Sequence, residues 1–279
     1  MIHEILPQVF HNNFENSAPG EEDFILIFAG NKMYFIKEEQ DDLIFPRYKD
    51  IKKYMRDFIY LFSIDQHSFY LCMNYSEDLS VNLHHKLILE NISIFREYRP
   101  SYMAFAGITG SQLYRWYSHN QFCGKCGSST IQSKKERALE CESCHSVIYP
   151  KISPAVIVAI YDGNKLLLSK NVYGDYKRYA LIAGYVEIGE TLEEAVKREV
   201  MEEVGLKVKN IKYYKNQPWS FSDTLLVGFT AELDGSAEIT LDTTELSEAV
   251  WFHREDVPKD DIHISLTREL MEAFRDHKF

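Results

Sequence analysis

The stretch that most constrains this chain runs from residue 184 to residue 206 and reads GYVEIGETLEEAVKREVMEEVGL. Thr191 is a good helix N-cap, and Glu194 three residues later completes a capping box. Leu192, Ala195, Val196 and Val200 follow at helical spacing, and Gly205 suits the left-handed position that ends a helix. A helix over 192–204 is predicted. On it Glu199, Glu202 and Glu203 stand as i, i+3 and i+4 and share one face. Three neighbouring anions repel, the more so near the negative end of the helix dipole. A hard divalent cation would remove that repulsion, and Mg²⁺ prefers such oxygen ligands while keeping waters for a substrate phosphate. A solvated acidic face is the competing reading, and for three glutamates alone it is the simpler one.

A second constraint comes from the cysteines. Four of the five form Cys123-x2-Cys126 and Cys141-x2-Cys144, with fourteen residues between the pairs. Each pair can make a tight knuckle that turns two sulfurs toward one point, and two knuckles complete a tetrahedral Zn²⁺ site. Disulfides are the alternative, but they need an oxidising compartment and the N-terminus carries no export signal. Four thiolates leave no open coordination position, so this zinc is expected to be structural, holding a ribbon too small to bury its own core. Lys134, Lys135 and Arg137 lie between the knuckles and are weak support for nucleic-acid binding. Cys72 reads as a buried free thiol.

The rest of the chain reads as an α+β protein. Apolar runs at 24–28 and 33–36 flank a Gly30-Asn31 turn and predict a β-hairpin, with a further strand at 67–75. His84 and His85 have no evident metal partner and read as surface or core histidines. A helix is expected over 104–120. A buried strand at 155–161 turns through Asp162-Gly163-Asn164 into a strand at 165–169, and an amphipathic helix closes the chain at 265–274. The expected domains are an N-terminal α+β domain (1–120), a ribbon (121–150) and a C-terminal domain (151–279). No apolar run of about 18 residues suggests a membrane span, and a cytoplasmic location is expected. The formal net charge of -11 argues against a broadly basic nucleic-acid surface and fits both solubility and a carboxylate-rich site.

The segment 184–206 matches GX5EX7REUXEEXGU, U being aliphatic, at every specified position, and so resembles the Nudix box. The resemblance implies an α/β/α sandwich in which loop and helix hold Mg²⁺ or Mn²⁺ against a pyrophosphate. By position, Glu199, Glu202 and Glu203 would be the metal ligands, one of them or a cation-bound water activating the attacking water. Arg198 would orient a catalytic glutamate, and Gly184 would permit the loop turn.

A tetracysteine ribbon directly before such a domain, joined through Tyr149-Pro150-Lys151-Ile152-Ser153-Pro154, resembles the NADH pyrophosphatase family. That family carries SQPWPFPxS after the box. Here the segment reads Asn216-Gln217-Pro218-Trp219-Ser220-Phe221-Ser222-Asp223-Thr224, keeping Gln217, Pro218, Trp219 and Phe221 and losing two prolines, which should loosen the loop. The resemblance implies hydrolysis of NAD(H) to nicotinamide mononucleotide and AMP, with NAD-capped RNA as a further substrate. Gln217, Trp219, Phe221, Thr224, Tyr185 and Tyr149 would contact substrate, although Trp-x-Phe also suits a buried turn. Glu245 would add a metal or substrate contact, with Glu248 as the adjacent alternative. It also implies a homodimer in which Trp219 serves the neighbouring chain. Hydrolysis of ADP-ribose or another dinucleotide is the nearest rival, and a nucleotide-sensing or RNA-binding protein without turnover is the rival from another class.

Overall fold

The computed structural model describes residues 1–38, 42–75, 87–172, 178–259 and 263–279. His84 and His85 fall outside them. The chain divides into two compact units, residues 2–151 and 152–279, Met1 counting with the second. Among the described residues no helix is long and apolar enough to cross a membrane.

In the first unit the strands are β1 (Phe10–His11), β2 (Phe24–Ala29), β3 (Lys32–Lys37), β4 (Leu43–Ile44), β5 (Met55–Ile64), β6 (His67–Tyr75) and β7 (Leu87–Asn91). They join in the order β1-β5-β6-β2-β3-β4, with β7 on β3. The Gly30-Asn31 hairpin forms as its sequence predicts, with Gly30 at φ 58°. After a short helix α1 (Tyr48–Ile51), the long helix α2 (Ser101–His119) carries two glycines in its interior. Such glycines cost a helix about 1 kcal/mol each, and packing explains them. A Cβ on Gly107 would sit 2.1 Å from Phe95 Cζ, and one on Gly110 2.2 Å from Leu26 Cδ1. Cys72 is fully buried on β6, and burial pushes its thiol up to about 11. The ribbon, β8 (Thr130–Gln132), β9 (Leu139–Cys141) and β10 (Val147–Ile148), is a small antiparallel sheet that clusters with this unit.

The second unit is built on a sheet ordered β14-β15-β11-β12-β16, with β13 also on β11. Its strands are β11 (Ser153–Asp162), β12 (Lys165–Asn171), β13 (Ile182–Tyr185), β14 (Val208–Trp219), β15 (Thr224–Leu233) and β16 (Leu246–His253). Its continuous apolar run is what a strand covered on both faces requires. On β11, Val156, Val158 and Ile160 enter one core with Leu167 of β12 and with Ala195, Val196, Val200 and Val204 of helix α3 (Leu192–Val204). The intervening Ile157 and Ala159 enter the opposite core, with Leu166 and Leu168 of β12 and Leu266, Leu270, Met271 and Phe274 of helix α4 (Leu266–Arg275). The period of two along β11 and β12 thus assigns one helix to each face, and the unit is an α/β/α sandwich.

Candidate active site and metal centre

Helix α3 begins and ends where its sequence predicts. Thr191 Oγ1 accepts from the Glu194 amide at 3.2 Å, and Glu194 Oε2 accepts from the Thr191 amide at 2.8 Å, closing the capping box. Gly205 ends the helix in the left-handed conformation, φ 66°. The apolar stripe faces the sheet, which leaves the glutamates along the helix's flank.

Arg198 organises them. Its Nε and Nη2 donate to the two oxygens of Glu190 at 3.0 and 2.6 Å, a bidentate pairing. Nη2 also donates to the Tyr185 carbonyl at 2.9 Å, while Nη1 reaches Glu199 at 2.8 Å and Glu202 at 3.0 Å. One guanidinium therefore ties loop, strand and helix together and partly offsets the repulsion between Glu199 and Glu202. The Glu190 pKa is lowered by these bonds from Arg198 and by the Glu187 amide. The motif marked Glu190 as a fixed position but gave it no part to play; as the main partner of Arg198 it was missed because the pairing spans a loop, not a helical turn.

Glu203 is the most enclosed carboxylate of the group, 6% exposed. Burial pushes its pKa up to about 8, and the charges of Glu199, Glu245, Asp242 and Glu202 push the same way. Glu199 is raised as well, first by burial, against the pull of Arg198. Asp242 was not foreseen in the sequence. Its Oδ1 accepts from the amide and hydroxyl of Thr244 at 2.8 and 2.6 Å, an Asx turn that Asp-Thr-Thr signals. The Asp242 amide donates to the Glu203 carbonyl at 2.9 Å, and this fastens the segment leading to Glu245 onto the end of α3. Glu248, the alternative to Glu245, is engaged elsewhere, with Lys170 at 2.7 Å and the Tyr179 hydroxyl at 2.9 Å.

Gly184 departs from its expected role. It is a strand residue of β13 paired with Val156 and is not among the positive-φ glycines. The loop turns instead at Gly189, φ 93°. Gly184 is small for a different reason: an added Cβ would lie 1.9 Å from Glu199 Cδ. The carboxyl of Glu199 occupies the space a side chain would need.

Two expected substrate contacts have their polar atoms engaged within the fold. Gln217 is fully buried, and its amide is consumed by the start of α4. Its Nε2 donates to the Ile264 carbonyl and its Oε1 accepts from the Leu266 amide, both at 2.7 Å. Thr224, 4% exposed, bonds to the Ser222 carbonyl and hydroxyl. Trp219 and Phe221 are half-buried with ring centroids 4.9 Å apart at the β14–β15 turn. Tyr185 is 53% exposed on β13, next to the Arg198 cluster. Tyr149, 57% exposed, belongs to the first unit and donates its hydroxyl to Glu136 at 3.1 Å.

The four ribbon sulfurs of Cys123, Cys126, Cys141 and Cys144 lie within 4.8 Å of one another. The Cys123–Cys144 and Cys126–Cys141 separations are 3.5 and 3.4 Å. That is too long for a disulfide, near 2.05 Å, and close to the edge of a ZnS₄ tetrahedron with bonds of about 2.3 Å. Both knuckles share one backbone design. The Gly127 amide returns to the Cys123 carbonyl and the His145 amide to the Cys141 carbonyl, with Gly127 and His145 both at positive φ. Hydrogen bonds from the Ser146 hydroxyl and amide hold the Cys144 thiol down to about 6. The set fits a structural Zn²⁺. Among the described residues it is the one group of three or more such ligands so tightly converged; the carboxylates of α3 share a face without closing to that degree.

Residues 151–274 match the NUDIX domain model and residues 118–149 the NADH pyrophosphatase zinc ribbon domain. The NAD-capped RNA hydrolase NudC of Salmonella paratyphi C is 47% identical over 149 residues, covering 53% of this chain and 58% of that protein. That of Citrobacter koseri is 46% identical with the same coverage. The chain thus spans just over half the length of the curated relatives it matches. A NUDIX hydrolase from Nitrosomonas europaea superposes with TM-score 0.50 at 24% identity, over 57% of this chain and 92% of its own, a likeness of fold. The α/β/α sandwich, the box on α3 and the four-cysteine ribbon before them agree with both models, and the chain carries a NUDIX domain preceded by a zinc ribbon of the NADH pyrophosphatase type.

Proposed function

We propose that this chain hydrolyses the pyrophosphate bond of NAD(H), giving nicotinamide mononucleotide and AMP, and acts on the same bond at the 5′ end of NAD-capped RNA. The observation that carries the reading is Glu203, buried among four other carboxylates on a helix that Arg198 and Glu190 lock to its loop. Every influence on Glu203 raises its pKa, so its environment suits a divalent cation. Glu199, Glu202, Glu203 and Glu245 would hold Mg²⁺ or Mn²⁺. Such a cation neutralises pyrophosphate oxygens and lowers the pKa of water.

The chain's own groups supply the rest. Arg198 keeps Glu199 and Glu202 turned to one side through Nη1. One of the glutamates Glu199, Glu202 and Glu203, or a cation-bound water, would help to activate the attacking water by taking its proton. Water adds to one phosphorus as the bridging oxygen leaves with the other. The exposed ring of Tyr185, the Trp219–Phe221 pair and, from its own unit, Tyr149 are proposed to contact the bases. Gln217 and Thr224 act indirectly, by shaping the strand that carries Trp219.

The proposed working form is a homodimer with Trp219 serving the neighbouring subunit. In support, Trp219 ends β14, which lies at the margin of its sheet among the described residues. The functional pieces are taken as 1–120, 121–150 and 151–279, and the cytoplasm as the location, a reducing compartment suiting four zinc-binding thiolates and one lone thiol.

The test is incubation with NADH, ADP-ribose and NAD-capped RNA in Mg²⁺ or Mn²⁺, with AMP and nicotinamide mononucleotide followed by chromatography. Preferential AMP release from NADH is expected. Preferential cleavage of ADP-ribose would move the substrate assignment, and full activity in Glu202→Gln would remove the box from the chemistry.

A further inference from the structure

Glu245 does not lie on α3, so something else must fix its carboxylate relative to Glu199 and Glu203. Its segment is held at both ends. On one side the Asx turn at Asp242 is bonded to the α3 carbonyl of Glu203, and the Thr240 amide to that of Val204 at 3.0 Å. On the other side the Glu245 carbonyl accepts from the Val172 amide at 2.8 Å, just beyond β12.

The ladder between β12 and β16 breaks its register at that point. Lys170 pairs with Glu248, but Asn171 pairs with Leu246, so Ser247 is an extra residue on β16. This is a β-bulge, a device that re-aims a strand and is frequent beside active sites. The bulge is fastened by side chains. Ser247 Oγ donates to the Lys170 carbonyl at 3.1 Å. Lys170 Nζ donates to Glu248 Oε2 at 2.7 Å and lies 4.0 Å from the Tyr179 ring centroid. The Tyr179 hydroxyl donates to Glu248 Oε1 at 2.9 Å, and its ring packs edge-on against Phe252 of β16 at 4.7 Å. Lys170 and Glu248 are 31% and 39% exposed, and an ion pair so placed contributes little to global stability. A four-residue clamp around one bulge has a local consequence instead: it fixes where β16 begins, and hence where the residue before it stands.

We propose that Lys170, Tyr179, Ser247 and Glu248 form a clamp on the β16 bulge that positions Glu245 against the carboxylate face of α3, making them positioning residues for the divalent-cation site. The inference rests on the reading of Glu245 as a contact of that site. It also separates position from charge. Removing the Lys170 cation makes the neighbourhood more negative, which by charge alone would tighten a divalent cation. Loss of position weakens it instead.

The experiment measures Mn²⁺ binding to the intact protein by electron paramagnetic resonance, without substrate, for Glu245→Gln, Lys170→Met, Ser247→Ala and the Glu245→Gln/Lys170→Met double variant. Glu245→Gln is expected to weaken Mn²⁺ roughly 10-fold, and Lys170→Met several-fold, somewhat less than the roughly 10–100-fold typical when groups behind metal ligands are removed. The double variant is expected to bind no more weakly than Glu245→Gln alone, because the clamp acts through Glu245. Lys170→Arg is expected to restore binding, with thermal midpoints unchanged throughout. Should Lys170→Met fail to fold, Ser247→Ala takes its place in the cycle. Unchanged or tighter Mn²⁺ binding in Lys170→Met, or fully additive losses in the double variant, would overturn the clamp. An unaltered Glu245→Gln would instead overturn the reading beneath it.

Discussion

Replacing Glu203 with glutamine should make the protein more stable at neutral pH when Mg²⁺ and Mn²⁺ are removed. The Glu203 carboxyl ionises near 8 in the folded chain against an ordinary value of 4.5. A raised folded pKa means that the native state holds its proton more tightly than the unfolded chain. The stability this confers is complete below pH 4.5 and is lost as pH climbs toward 8. At 1.36 kcal/mol per tenfold change, the loss is about 2 kcal/mol at pH 6 and roughly 4 kcal/mol at pH 8. Glutamine mimics the protonated acid and suffers none of it. A unit of this size shifts its midpoint by about 2–4 °C per kcal/mol, so even half the effect gives several degrees at pH 8 and almost nothing at pH 5. The assay is thermal unfolding by circular dichroism after dialysis that leaves the zinc in place, at pH 5, 6 and 8, with amide exchange over 192–204 as the local readout. An equal or lower midpoint for Glu203→Gln at pH 8, or a difference that does not grow with pH, would refute this account of the site. Adding Mn²⁺ should reverse the order, since the native carboxylate then gains a partner and the amide does not.

Gly184→Ala should displace the Glu199 carboxyl, lowering NADH turnover by about 100-fold while costing about 1–3 kcal/mol of stability; near-normal turnover would show that Glu199 has room to move. Gln217→Leu leaves the Leu266 amide and the Ile264 carbonyl without partners in the core and should destabilise the second unit by about 2–4 kcal/mol, read by urea unfolding. If Gln217 were instead a substrate contact, the loss would appear chiefly in KM. Cys144→Ser should lower the bound zinc measured by metal analysis and increase proteolysis within 121–150, with slower change in the exchange of α3 amides; stoichiometric zinc in that variant would refute a four-thiolate site.

Local rules made much of this legible in advance. Helix α3 was readable to the residue because cap, stripe and terminating glycine all lie within one continuous segment. The ribbon was readable because a knuckle is built by neighbours, and the alternating apolar runs of β11 and β12 forecast a sheet covered on both sides. What stayed hidden depended on partners distant in sequence. The bonds of Gln217 could not be read because its motif says nothing of Leu266, forty-nine residues on, whose amide it caps. Gly184 looked like a hinge because a glycine in a motif suggests a turn, whereas its smallness answers to a side chain on another element. The part played by Glu190 and the bulge before Glu248 were invisible for the same reason: neither hydrogen-bond direction nor strand register can be read from composition.

The two glycines inside α2 carry a consequence for how this protein can change over time. The Phe95 ring and the Leu26 methyl already fill the volume that any larger residue at 107 or 110 would claim. Neither site can therefore drift alone. A lineage that gains even one methyl on that helix must first shrink the opposing residue, and the intermediate with both trimmed would carry a void. The N-terminal unit should accept change freely along its rim while these paired positions move together or stay still.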